Sequence, residues 1–186
     1  MEKPVLLFLS GGSGIPEYFL EYQYPTFLED EFIVCFLDWR GTGLSYRKSV
    51  TPESMTRRQF IADTFEVTEY LREQFNTDKI YLAAHSFGTS IGIQAIVERP
   101  ELYKGYIAIG QMSDQPRSEQ LAYEYMLSLC ERENNQTLLE QLTDNPFGTD
   151  SYFNSGVRDK AMHALGVGTT RNMKSVITGI FFRRFA

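Results

Sequence analysis

Four short apolar runs punctuate the first part of the chain: Val5–Leu9, Phe32–Leu37, Ile80–Ala84 and Tyr106–Ile109. None of them alternates with polar residues, which is the pattern of strands covered on both faces, as in a parallel sheet. Between the second and third runs, Ile61, Phe65, Leu71 and Phe75 fall near one face of a helix, and Thr56 with Gln59 offers a capping box at its start. Gly88 to Val97 predicts another helix, which ends before Pro100 because proline cannot continue it. Strands that alternate with helices predict right-handed βαβ crossovers and an α/β sheet.

After about Met112 the strand signal stops. Leu121, Tyr125 and Leu129 recur at helical spacing behind Ser118, Leu138, Leu139 and Leu142 suggest a second short helix, and Asp159 to Leu165 suggests a third, closed by Gly166. Val176 to Phe182 is apolar and meets Arg183-Arg184. The expected division is a β/α part over residues 1–112 and a helical part over residues 113–186.

Length and charge narrow the classes. The 186 residues, 42% of them hydrophobic, suit one domain or one domain with a small appendage. A net charge of −6 disfavours nucleic acid, whose phosphates want a basic face. Cys35 and Cys130 cannot make a disulfide framework, and a reducing, cytoplasmic setting is the simpler expectation. The first apolar run stops at Ser10, too soon for a secretory segment, and no stretch reaches the roughly 20 apolar residues of a membrane span. Two histidines, two distant cysteines and the lack of a phosphate-binding Gly-Lys-Ser/Thr loop predict neither a metal nor a nucleotide cofactor.

The chemistry centres on Ser86. An apolar strand, Ile80 to Ala84, leads through His85 into this serine, and a helical pattern follows at once. That is the layout of a nucleophile elbow, a cramped strand-to-helix turn that presents a hydroxyl above a sheet. Neighbours at −2 and +2 must be small, and they are Ala84 and Gly88. A serine hydroxyl also needs a base and donors for the oxyanion. The Phe87 N–H at the helix start is one expected donor. Ser10-Gly11-Gly12-Ser13-Gly14, behind the first strand, is the expected source of the second, with Gly12 N–H preferred and Ser13 next. Asp38-Trp39-Arg40-Gly41-Thr42-Gly43-Leu44-Ser45 reads as a turn stitched by charge-assisted hydrogen bonds, with Asp38 and Arg40 in structural roles.

These three motifs in this order resemble the α/β-hydrolase superfamily, nearest to its proline iminopeptidase-like branch. That branch carries a His-Gly-Gly-Pro-Gly loop, then Asp-x-Arg-Gly-x-Gly-x-Ser, then the elbow. Here the loop has lost its His and Pro, the second motif fits from Asp38 to Ser45, and Arg99-Pro100-Glu101-Leu102-Tyr103 is similar to the family's stretch before the next strand. The likeness covers about residues 4 to 112 well and the remainder loosely. It implies the central part of an α/β-hydrolase fold, a mostly parallel sheet with flanking helices, followed by part of a helical cap. The implied activity is hydrolysis of an ester, amide or peptide bond through an acyl-enzyme on Ser86, with a small molecule or short peptide as substrate. Proline iminopeptidase-type aminopeptidase activity is the narrower form. A serine at the elbow argues against the relatives that open epoxides or dehalogenate with an aspartate.

A triad also needs a histidine and an acid. His85 adjoins the nucleophile, where its side chain points away from the place of a base, and it is expected to be a packed or partly exposed elbow residue. The order Ser86, Asp144 or Asp150, His163 is formally allowed, so His163 is the alternative base, although a helix-surface or cap-lining role suits it better. Tyr123, Tyr125, Met126 and Phe153 offer lining for an apolar pocket, with ordinary helix packing the stronger expectation. The chain is expected to be an incomplete hydrolase, short of strands at both ends and lacking the acid and histidine of the triad, so that alone it keeps only residual activity from its oxyanion donors, and it is expected to associate with a second copy or a complementing segment. The rival expectation is a non-catalytic relative that binds a ligand or partner.

Overall fold

In the computed structural model the described residues are 3–12, 16–147 and 155–169. The chain divides into two compact units, Met1–Ser113 and Asp114–Ala186.

The first unit runs β1 (Val5–Leu9), α1 (Tyr18–Gln23), β2 (Ile33–Leu37), α2 (Arg57–Gln74), β3 (Ile80–His85), α3 (Phe87–Glu98) and β4 (Tyr103–Ile109). The strands form one parallel sheet in the order β2-β1-β3-β4. Register sets Leu7 beside Cys35 on one side and Leu82 on the other, and Leu82 beside Tyr106. Leu6, Leu9, Ile80, Leu82 and Ala84 have no accessible surface, as expected of strands covered on both faces.

The same expectation fails for the outer strands, because they are the sheet's edges. All five residues of β2 are only half-buried. On β4, Ile107 and Ile109 are 44% and 46% exposed. β4 also starts three residues before its apolar run. Tyr103 opens it as a buried residue whose hydroxyl meets Thr68 of α2 at 3.1 Å, and the polar Lys104 and Gly105 hide this start from a hydropathy pattern. The short α1 was not anticipated: it has no side-chain cap, and Tyr18 and Tyr22 are exposed.

Helix α2 buries Phe60, Ile61, Thr64, Thr68 and Leu71. Its first turn keeps half of the expected capping box. Thr56 Oγ1 accepts the Gln59 N–H at 3.2 Å, while the Gln59 amide turns forward to Asp63 instead of back to Thr56. Thr56→Ala therefore leaves one backbone donor to water. It is expected to cost about 1 kcal/mol of stability, read as a shift in the urea midpoint.

The second unit comprises α4 (Gln115–Arg132), α5 (Gln136–Thr143) and α6 (Ser155–Leu165). Its core is Met126, Leu129, Cys130, Leu138, Leu142, Ala161 and Leu165. Two sequence expectations need correcting here. Helix α4 is capped by Asp114, whose carboxylate accepts the Arg117 N–H at 3.0 Å, and Ser118 lies inside the first turn. Leu121 and Tyr125, expected on its apolar face, are 47% and 51% exposed; the buried stripe is Met126, Leu129 and Cys130, one position round the helix. Val176 to Phe182 lies outside the described residues.

Candidate active site

Every strand of a parallel sheet ends on the same side, so the loops leaving β1, β2, β3 and β4 cluster there. The chain passes from β1 to its neighbour β2, then crosses back over β1 to β3. The connections thus diverge between β1 and β3, the place where open α/β sheets leave a crevice beyond the strand ends. The loops on either side of that point are Ser10-Gly11-Gly12 and Ser86.

Ser86 has φ 47° and ψ −118°, a backbone conformation that side-chain-bearing residues avoid and that costs about 1–3 kcal/mol. Its surroundings hold it there. The Ser86 N–H donates to Ile109 O of β4 at 2.9 Å. The Ser86 carbonyl accepts from Thr89 N at 2.9 Å and Thr89 Oγ1 at 2.6 Å, and Thr89 Oγ1 in turn accepts the Met112 N–H at 2.9 Å. The buried Thr89 thus ties the bend to the exit of β4. The side chain of Ser86 caps no N–H of α3, so its hydroxyl is not committed to the helix.

Small neighbours are required by contact as well as by the bend. A Cβ on Gly88 would stand 2.5 Å from Leu9 O and 2.8 Å from Ser10 O. One on Gly92 would stand 3.2 Å from the Ala84 methyl, so α3 approaches β3 closely at this point. Beneath the bend, the rings of Trp39, Phe60 and Phe87 meet edge to face, with centroids 5.3 to 5.9 Å apart.

The glycine loop is tied to the same assembly. Ser10 is buried, and its carbonyl accepts the Trp39 indole N–H at 2.8 Å. At Gly11 an added Cβ would lie 2.6 Å from His85 Nδ1, 3.0 Å from Glu17 Oε1 and 3.0 Å from Ser86 Cβ, so this backbone passes directly against the serine. Gly12 is exposed, has φ +59°, and would meet nothing within 4 Å. Ser13 and Gly14 lie outside the described residues.

The Asp38–Ser45 loop differs from expectation in one respect. Asp38 does stitch the turn, since its carboxylate accepts the Leu44 N–H at 2.7 Å. Arg40 does not. It reaches across to α2, where its guanidinium grips both carboxylate oxygens of Asp63, with Nε at 2.8 Å from Oδ2. That hydrogen bond holds Arg40 still further into its charged form.

His85 is partly exposed, as expected, but it has a partner that local sequence gave no sign of: its Nδ1 lies 2.6 Å from Glu17 Oε1. Glu17, Thr89 and Asp63 were all missed. Each acts through a partner 23 or more positions away or through backbone atoms, and no short-range pattern marks them. His163 lies on α6 in the second unit, with Nδ1 buried and without a hydrogen-bond partner among the described residues. Of the expected pocket-lining residues, Met126 is packed in the core of its unit, the Tyr123 hydroxyl donates to Leu142 O, Tyr125 is exposed and Phe153 is outside the described residues. Burial pushes the Cys35 thiol up, and it pushes Cys130 up as well, helped by Glu133 and Glu131.

A depression of about 960 Å³ opens at the opposite end of the sheet, among Lys3, Val5, Ile33, Phe75, Tyr81 and Lys104. It lies at the starts of the strands, whereas Ser86 follows the end of β3. No helix among the described residues is long and apolar enough to cross a membrane.

Known proteins share this architecture. A probable aminopeptidase of Bacillus subtilis (strain 168), YbaC, is 38% identical over 131 residues, which cover 70% of this chain and 41% of that protein. The chain therefore spans well under two thirds of that relative's length. A proline iminopeptidase-related protein of Thermus thermophilus matches 88% of this chain and 52% of its own, with a TM-score of 0.55 at 24% identity. The Rv0554 protein of Mycobacterium tuberculosis matches 70% of this chain and 45% of its own, with a TM-score of 0.51 at 21% identity. At such identities these two structures speak for the fold alone. The family model described as the alpha/beta hydrolase fold matches residues 4–179, and the chain belongs to that family.

Proposed function

We propose that this chain carries the nucleophile and oxyanion site of a serine hydrolase that cleaves ester, amide or peptide bonds through an acyl-enzyme. The observation that supports it most is the strained Ser86, set between β3 and α3 with the Gly11 backbone against its Cβ. In this reading Ser86 Oγ attacks the substrate carbonyl carbon while a general base takes its proton, the leaving group departs carrying that proton, and water later releases the acyl group and restores the Ser86 hydroxyl. The Phe87 N–H, first of the α3 donors without an intrahelical acceptor, and the Gly12 N–H hold the oxyanion.

The general base is assigned to neither histidine. His85 is engaged with Glu17. The narrower proposal is an aminopeptidase, supported by the 38% identity to a probable aminopeptidase. Two free cysteines suit a reducing compartment such as the cytoplasm.

The test is a fluorophosphonate probe followed by peptide mapping. Phosphonylation at Ser86, and at no other hydroxyl, is the expected result. A folded protein in which Ser86 takes no probe would favour the ligand-binding relative instead, a reading that draws on the unassigned base.

A further inference from the structure

Glu17 and His85 stand 68 positions apart in sequence and 2.6 Å apart in space. The Glu17 side chain is only 14% exposed, so its carboxylate gives up much of its water and needs a partner in return. His85 Nδ1 is that partner.

The placement of the pair matters more than its strength. Glu17 immediately precedes α1, on the far side of the glycine loop. His85 is the last residue of β3, immediately before Ser86. Gly11 packs against this pair so tightly that a methyl there would meet His85 Nδ1, Glu17 Oε1 and Ser86 Cβ at 2.6 to 3.0 Å. The near end of the loop is fixed separately, by the Trp39 indole on Ser10 O. Pro16, at the far end, fits where only a glycine at position 43 leaves room: a Cβ on Gly43 would stand 2.6 Å from Pro16 Cγ. The glycine loop is thus anchored on both sides of Gly11 and Gly12.

We infer that Glu17 is a positioning residue, whose hydrogen bond from His85 Nδ1–H clasps the glycine loop against the elbow and so keeps the Gly12 N–H where the oxyanion forms. This rests on the reading of Ser86 as nucleophile. Glu17 touches neither substrate nor reacting atoms in this role. It acts through the Gly11 backbone, and what it must supply is a hydrogen-bond acceptor at one point, not a charge. Glutamine supplies that acceptor and alanine does not.

The experiment measures the rate of fluorophosphonate labelling at Ser86, together with hydrogen exchange of the Gly11 amide, in the wild type, Glu17→Gln and Glu17→Ala. Loss of a well-placed oxyanion donor predicts labelling about tenfold slower in Glu17→Ala, with Glu17→Gln within about twofold of the wild type. Exchange at the buried Gly11 should quicken in Glu17→Ala only. A general loss of fold is recognised by the urea midpoint at Trp39, and the exchange comparison between Gln and Ala still decides the clasp. Wild-type labelling and exchange in Glu17→Ala would overturn the proposal. So would a Glu17→Gln variant as slow as Glu17→Ala, since that outcome makes Glu17 a charge and not a tie. If wild-type Ser86 takes no probe, the nucleophile reading fails by itself, and the exchange rates alone decide whether Glu17 holds the loop.

Discussion

Ser86→Ala is expected to abolish fluorophosphonate labelling at residue 86, and Ser86→Cys to restore an acyl-enzyme with an activated ester. The two variants separate what the turn supplies from what a base supplies. Alanine keeps the bend and the packing of Gly11 against Cβ but has no oxygen to attack with. Cysteine keeps the same Cβ and adds a group that ionises near pH 8.5 without help. Half of an unperturbed thiol is thiolate at that pH, so the variant needs no histidine to be activated. With p-nitrophenyl acetate the thiolate attacks the carbonyl carbon, the ester C–O bond breaks and p-nitrophenolate leaves. A burst of one equivalent, mapped to residue 86, is the expected result.

The chain contains its own control. Burial pushes the thiols of both Cys35 and Cys130 up, so at pH 8.5 each carries less thiolate than an open cysteine. Residue 86 should acylate at least about tenfold faster than either. Equal acylation at all three sites would mean that the turn offers no special environment, and the proposed oxyanion donors would lose their support.

The turn was legible in sequence because its demands are local. A strained serine needs small residues at fixed offsets and a strand and helix on either side, and all of these fall within Ile80 to Val97. The central strands β1 and β3 were legible for a related reason, since burial on both faces removes polar residues from the run. Edge strands lose that signature. β4 opens with Tyr103-Lys104-Gly105 and leaves Ile107 and Ile109 uncovered, so its apolar run gave neither its start nor its exposure. Partners were the least legible. Asp38 and Arg40 lie two apart and invite pairing with each other, yet Asp38 takes a backbone N–H of its own loop and Arg40 takes Asp63 on α2. Which carboxylate an arginine or histidine meets is decided by how the elements pack. For that reason the Glu17–His85 contact is absent from any window of the chain.

Gly88→Ala should be among the most damaging single-methyl additions in the first unit. The new Cβ would sit 2.5 Å from Leu9 O and 2.8 Å from Ser10 O. Both are backbone atoms at the exit of β1, and neither can rotate away as a side-chain tip would. Relief requires α3 to lift off the sheet, which would also drag Ser86 from the glycine loop. Helix propensity works the other way, because alanine is about 1 kcal/mol better than glycine inside a helix. Overpacking against a fixed wall costs about 1–3 kcal/mol and sometimes more, so the clash wins, with a net loss of up to about 2 kcal/mol. Trp39 is the chain's one tryptophan, 2% exposed and packed on Phe87, so its fluorescence in urea reports this region. Gly12→Ala is the comparison. It meets nothing within 4 Å and bears only the cost of its φ of +59°, about 1 kcal/mol. A Gly88→Ala midpoint no lower than that of Gly12→Ala, with Ser86 labelling unchanged, would show that α3 can yield at its first turn and that the close approach to β1 does not hold the serine in place.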